Sequence, residues 1–248
     1  MIRLNNVRKR FGDKDALKGI TLTIEKGETI AIIGGSGSGK STLLRLMIGL
    51  DRPTSGEIYI GDENIAAMSE NALDRVRLRM GMVFQYSALF DSMSVGENVA
   101  FGLREHTTKS DEEIARIVAE KLALVGLPDA VALMPQELSG GMKKRVGLAR
   151  AIATDPEIIF YDEPSSGLDP IMTAKIDELI IDMQKKLGVT SVVVTHDMAS
   201  ASRIADRIAM IYDGELIAVD TAARFQDIAD ERVQAFFRTL HHRREAGA

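Results

Sequence analysis

Short runs of aliphatic and β-branched residues alternate along the chain with stretches whose apolar residues recur every three or four positions. Residues 2–7, 21–24 and 28–33 predict strands, broken by turns at Phe11–Gly12 and Lys26–Gly27. Residues 40–49 predict a helix, and residues 57–60 a strand that ends at Gly61–Asp62. Residues 80–84, 158–161 and 191–195 are near-continuous apolar runs, the pattern of strands covered on both faces. Helical patterns flank these runs. Residues 208–212 and 215–219, separated by Asp213–Gly214, predict an antiparallel hairpin. Strands and helices mixed in this way predict an α/β fold: a mixed sheet with flanking helices, plus an antiparallel β part.

The stretch 86–136 breaks the alternation, because it carries no strong strand signal. Ser110 is a helix cap followed by an acidic first turn of Asp111, Glu112 and Glu113. Ile114, Ile117, Val118, Leu122 and Val125 continue at helical spacing until Gly126, and Pro128 and Pro135 mark the exit. The expectation is an α-helical subdomain over 86–136, with a further helix from 138, inserted between core segments 1–85 and 156–220. A C-terminal extension follows at 221–248. Within it Asp230 is predicted to cap a helix bearing Val233, Phe236, Phe237 and Leu240, with His241, His242, Arg243 and Arg244 behind them. Such a helix either packs on its own domain or clasps a second subunit or an accessory protein. The basic end could also touch anionic lipid.

Composition narrows the classes. Lys and Arg total 31 against 36 Asp and Glu, a net charge of −5, so the broad positive field that selects for phosphate backbones is missing. No nucleic-acid partner is expected. The chain has no cysteine, which excludes disulfides, thiolate metal sites and cysteine nucleophiles together. No apolar run reaches the ~18 residues needed to span a bilayer, and no signal peptide is predicted. These features predict a soluble chain of the cytosol.

Three motifs carry the chemistry. Gly34-Gly35-Ser36-Gly37-Ser38-Gly39-Lys40-Ser41 matches G-x-x-x-x-G-K-[ST] between a predicted strand and a predicted helix. Its glycines let backbone N–H groups turn inward as an anion nest, and the helix adds the positive end of its dipole. Lys40 is positioned for the β- and γ-phosphates and the Ser41 hydroxyl for Mg²⁺, with Thr42 counted among the nucleotide-binding residues. The core is thus expected to be a P-loop NTPase binding ATP and Mg²⁺. In residues 158–163, four apolar residues end in Asp162 and Glu163. Asp162 suits Mg²⁺, and Glu163 suits polarisation of the water that attacks the γ-phosphate. Leu138-Ser139-Gly140-Gly141 opens a second helix whose N-terminus can receive an anion. Ser139 is either an ordinary cap or serves a nucleotide held by another copy of the chain, giving a twofold dimer.

These motifs, in this order and spacing, resemble the ATPase subunits of ABC transporters over about residues 1–222. The resemblance implies further roles. Gln85 is similar to the glutamine that contacts Mg²⁺ and the attacking water and senses a transmembrane partner. Asp169, in Ser166-Gly167-Leu168-Asp169, resembles a loop that reaches across the dimer, and Ser139, Gly140 and Gly141 then bind the opposite nucleotide. His196 resembles the histidine that contacts the γ-phosphate, and Phe11 the aromatic that stacks on adenine. Met142 and Gly167 depart from the commonest LSGGQ and SALD forms, but neither removes the hydroxyl or the glycines. LSGGM together with residues 84–101 is most similar to the ATPases of Mla-type phospholipid transporters. That implies a second copy of the chain, transmembrane permease subunits and a small STAS-type accessory protein as partners. It places the chain peripherally on the cytoplasmic face of the inner membrane. Tyr86, Leu89, Phe90 and Met93 form an apolar stretch that either receives a helix of a membrane subunit or packs the helical lobe. P-loop kinases and GTPases lack the second helix N-terminus, and no N-K-x-D motif occurs. An importer of another cargo, such as amino acids, is the alternative; a non-transport ABC ATPase fits less well.

Overall fold

The computed structural model describes the backbone of residues 1–245 and the side chains of residues 1–238. Leu240, His241, His242, Arg243 and Arg244, with the expected lipid contact, lie outside the side chains so described. In chain order the elements are β1 (Ile2–Phe11), β2 (Lys14–Ile24), β3 (Thr29–Ile33), α1 (Lys40–Met47), β4 (Ser55–Ile60) and β5 (Glu63–Asn64). Then come α2 (Glu70–Arg77), β6 (Met80–Val83), α3 (Val95–His106), α4 (Asp111–Leu124), α5 (Gly140–Ala151) and β7 (Ile158–Asp162). The last are α6 (Pro170–Leu187), β8 (Thr190–Val194), α7 (Met198–Ile204), β9 (Arg207–Tyr212), β10 (Glu215–Thr221) and α8 (Glu231–Glu245). The chain divides into two compact units, Met1–Leu73 with the segment from Val192 onward, and Asp74–Ser191. The divisions fall inside α2 and β8.

The first unit holds an antiparallel sheet in the order β2-β1-β4-β5 and a second set of strands in the order β10-β9-β3-β8. β3 runs parallel to β9, and β10 antiparallel to it, through the hairpin expected at Asp213–Gly214. All five residues of β3 are buried, as its unbroken apolar run requires. β2 begins seven residues before the predicted start at Thr21, because Lys14 already pairs with Phe11 and Asp15 with Arg10. That pairing tolerates polar residues because this end of the ribbon is exposed. β3 begins one residue after its predicted start. Glu28 instead turns its carboxylate to the Glu25 N–H at 2.7 Å and to Arg207 at 3.1 Å.

The second unit pairs β6 parallel to β7, with Met80 opposite Ile158 and Val83 opposite Tyr161. Phe84, predicted as part of this strand, falls outside it and is exposed. The α-helices α3 and α4 lie within 86–136, and α5 follows at Gly140. The caps are chemical and local. Ser94 and Glu97 form a reciprocal capping box on α3, and Ser110 and Glu113 form another on α4. Ser139 caps α5, its Oγ accepting the Met142 N–H at 3.3 Å. Among the described residues no helix is long and apolar enough to cross a membrane.

Candidate functional site

In the first unit, β3 runs straight into residues 34–39 and α1 begins at Lys40. Gly34, Gly37 and Gly39 all have positive φ, so the loop folds tightly enough to turn several N–H groups toward one region. Gly34 is where the backbone approach is closest: a Cβ there would lie 2.1 Å from the Ile211 carbonyl oxygen. Gly39 caps α1 without any side-chain hydrogen bond, which leaves the first N–H groups of the helix to an external anion. Lys40 is buried and lies along the loop, its Nζ donating to the carbonyls of Gly34 at 2.8 Å and Gly35 at 2.9 Å. Gly35, Ser36, Gly37 and Ser41 are exposed, whereas Ser38 is buried. The Ser38 Oγ has no hydrogen-bond partner among the described residues.

A cavity of about 270 Å³ opens against this loop and is lined by Gly37, Gly39, Lys40, Ser41, Thr42 and Phe11. Phe11 is 49% exposed at the end of β1, and the Lys9 ammonium sits 4.8 Å from its ring centroid. Lys14, Asp15 and Asp213 share the cavity; the local pattern marks Asp213 only as a turn residue and the other two not at all. A second cavity of about 740 Å³ borders Gly35, Ser36, Gly37 and Ser38 and is walled by Tyr212 and by Arg232 and Phe236 of α8. His196 is exposed and follows Thr195, whose N–H donates to the Ile32 carbonyl of β3 at 3.1 Å. This bond places His196 two residues beyond the end of β8, on the edge where β3 enters the loop. Asp197 beside it caps α7 through the Ala199 N–H at 2.9 Å.

The second unit gathers the remaining candidates. Residues 158–161 of β7 are buried, and Asp162 and Glu163 emerge half-buried at its C-terminal end. Glu163 adopts φ +47°, a left-handed conformation uncommon for a residue with a side chain. Gln85 lies two residues beyond Val83, at the same edge, because β6 pairs in parallel with β7. Its Nε2 donates to Ser166 Oγ at 3.4 Å, joining the Gln85 segment to residues 166–169. Asp169 is exposed and caps α6, its Oδ1 accepting the N–H groups of Ile171 at 2.9 Å and Met172 at 3.0 Å. Ser139 and Gly140 are exposed at the start of α5, and Gly141 is buried against Met172. Lys144, three residues further along α5, is also buried; desolvation holds its pKa below the ordinary lysine value, opposed by the charges of Glu163 and Asp162.

Among the described residues there is no group of three or more histidines and acids that could hold a metal alone. Mg²⁺ with a nucleotide characteristically takes only one or two protein carboxylates and keeps phosphates and waters as its other ligands, so a cluster of three acids is not required. The oxygens on Ser41, Gln85 and Asp162 are of the required hard type.

The family model described as ABC transporter matches residues 17–166 of the chain. The chain is 45% identical over 216 residues, 87% of its length, to the probable ribonucleotide transport ATP-binding protein mkl of Mycobacterium tuberculosis. It spans 60% of the length of that relative. It is 44% identical over 238 residues to the intermembrane phospholipid transport system ATP-binding protein MlaF of Haemophilus influenzae, covering 96% of this chain and 90% of the relative. Among solved structures, the dimeric post-hydrolysis state of an ATP-binding cassette bound to ADP and phosphate superposes with a TM-score of 0.82 at 36% identity. That match covers 90% of this chain and 99% of the other.

Proposed function

The chain belongs to the ABC transporter family, and from this premise we propose that it is the ATP-hydrolysing subunit of a transporter that moves phospholipids between membranes. The observation that carries the ATPase reading is the loop 34–41: left-handed glycines, a buried lysine and an α1 N-terminus free of side-chain caps. The MlaF likeness supports the cargo, since it spans both chains almost end to end. A ribonucleotide cargo, carried by the name of the mycobacterial relative, has less support because the match leaves 40% of that protein uncovered.

In this reading the N–H groups of residues 34–41 bind the polyphosphate of ATP, and Lys40 leaves its two carbonyls to bind the β- and γ-phosphates. Phe11 stacks on the adenine from the rim of its cavity. Ser41, Gln85 and Asp162 are the residues that would hold Mg²⁺. When bound, that ion neutralises phosphate charge. Glu163 accepts a proton from the attacking water, and Gln85 and His196 orient that water and the γ-phosphate.

The rest of the reading concerns assembly. Ser139, Gly140 and Gly141 on one copy meet the nucleotide held by another, with Asp169 at the same junction, so two chains close over two nucleotides. Dimeric relatives of this fold support that arrangement. Hydrolysis divides the phosphate bridge between the copies and lets them part, a two-state element biased by one phosphate. The chain then works peripherally on the cytoplasmic face of the inner membrane, bound to permease subunits, with a small STAS-type protein as accessory. The exposed Tyr86 and Phe90 offer apolar surface to the permease.

Two variants test the motor. Lys40→Ala is expected to lose ATP binding. Glu163→Gln is expected to keep ATP binding while hydrolysis falls by roughly 10²-fold or more, read by calorimetry and by phosphate release. Full hydrolysis by Glu163→Gln would refute its role. Copurification from detergent-solubilised membranes tests the cargo: a permease with phospholipid-binding partners is expected, and a ribonucleotide or amino-acid permease would overturn the lipid assignment alone.

A further inference from the structure

A closed ring of hydrogen bonds surrounds the end of β7, and one of its members comes from α5. Lys144 Nζ donates to the backbone carbonyl of Gln85 and, at 3.4 Å, to that of Glu163. The Ser166 N–H donates to the same Glu163 carbonyl at 3.1 Å. Gln85 Nε2 completes the ring by donating to Ser166 Oγ. Lys144 is only 7% exposed, and an ammonium so placed is costly unless its protons are taken by acceptors. The two carbonyls that take them belong to residues assigned above to the attacking water.

The backbones in question are strained. Glu163 has φ +47°, and Ser87 and Ala88, just beyond Gln85, have φ +62° and +45°. Such conformations persist only where the surroundings over-determine them. α5 supplies that restraint twice. Arg150 donates to the carbonyls of Ala88 at 2.6 Å and Ser87 at 2.7 Å. Lys144 contacts Gln85 and also reaches Glu163.

We propose that Lys144 is a positioning residue for ATP hydrolysis, joining the backbone of Gln85 to that of Glu163 so that a shift of residues 85–88 redirects the Glu163 carboxylate. The inference rests on the reading of Gln85 and Glu163 given above. Two donors fix the Glu163 carbonyl, which limits rotation about its backbone and hence the direction of its Cα–Cβ bond. When the Gln85 carbonyl moves, the ammonium follows it, and the Glu163 carbonyl loses one of those donors. A partner that displaces residues 85–88 would therefore act on the base without touching it.

The test uses the full chain and compares the wild type, Glu163→Gln, Lys144→Met and Lys144→Arg. Methionine keeps the long stem and removes the donors; arginine keeps donors. Lys144→Met is expected to lower kcat by about tenfold to a hundredfold, the range for a misplaced catalytic group. KM for ATP should stay within about twofold, since residues 34–41 are unchanged. Lys144→Arg should recover a substantial part of the lost kcat. The proposal is overturned by a kcat for Lys144→Met within about twofold of wild type, or by a matching rise in KM. It is also overturned by a loss that parallels loss of folded protein in thermal melts, with Lys144→Arg no better. A wild type without ATPase activity, or a Glu163→Gln variant at wild-type rate, removes the underlying reading instead.

Discussion

Gly34 and Gly35 are neighbours in one motif, yet the structure treats them differently. A Cβ on Gly34 would press into the Ile211 carbonyl at 2.1 Å, while a Cβ on Gly35 meets nothing within 4 Å. Gly34→Ala is therefore expected to destabilise the chain by about 3 kcal/mol or more, visible as a lower Tm, with ATP binding lost as the loop rearranges. Gly35→Ala should leave stability within about 0.5 kcal/mol, so any loss of ATP affinity in that variant reports on the nucleotide itself. The spacing of the motif made both glycines legible as candidates. It could not rank them, because Ile211 is distant in sequence and arrives through the pairing of β3 with β9. Ser139 shows the reverse case. The cap at Ser139 was legible from the residues that follow it, whereas Asp169, read only through its resemblance to a loop that crosses a dimer, is placed by the structure as the cap of α6.

At the scale of elements, helices with local chemistry were the easiest to read. Ser110 and an acidic turn announce α4, and Ser139 announces α5. α2 carries a weaker signal, Ser69 and Glu70 at its start, because only Leu73 and Val76 of its charged sequence are buried apolar residues. In α5 the unread signal was Lys144, which shares a helical face with Leu148 and Ala151 at i+4 and i+7, where a buried face predicts an apolar residue. Asn98 on α3 is another buried polar group with a defined task. It is 0% exposed, accepts the Phe90 N–H at 2.8 Å, and donates to the carbonyls of Phe90, Met93 and Ser94. Asn98→Leu removes these bonds and is expected to cost about 2–4 kcal/mol, read as a fall in Tm and as faster amide exchange across residues 90–94. The apolar stretch before α3 packs internally at one residue and leaves others at the surface. Phe90 packs on Phe101 at 4.8 Å between ring centroids, yet remains 42% exposed, and Tyr86 is 86% exposed.

For the chain as a whole, the C-terminal extension is integral to the first unit. Val233 of α8 and Phe225 before it are fully buried in a cluster with Ala31, Met198, Ile208 and Met210. Phe236 and Phe237 pack against the same cluster. Truncation after Ala222 removes both buried anchors, and loss of a buried phenylalanine alone typically costs about 3–5 kcal/mol. That truncation is expected to lower Tm sharply or abolish folding. Truncation after Arg238 retains the anchors and should melt near the full chain. The shorter deletion is therefore the one suited to testing a clasp on a second subunit or accessory protein: dimerisation weakened without a change in Tm supports the clasp, and unchanged dimerisation and transport refutes it.

The linear sequence determined whatever depends on neighbours a few positions apart: the glycine-rich loop between β3 and α1, the helix caps, the buried strands and the acidic end of β7. Turn, cap and periodic-burial energies act over that range, so their residues lie together in the text. Tertiary structure alone decided which carbonyl excludes a side chain from Gly34, which carbonyls receive the Lys144 ammonium, and where α8 buries Val233. Those contacts join segments far apart in the chain. They are selected by strand register and by the cost of burying a polar group without a partner, and neither is written in any local pattern.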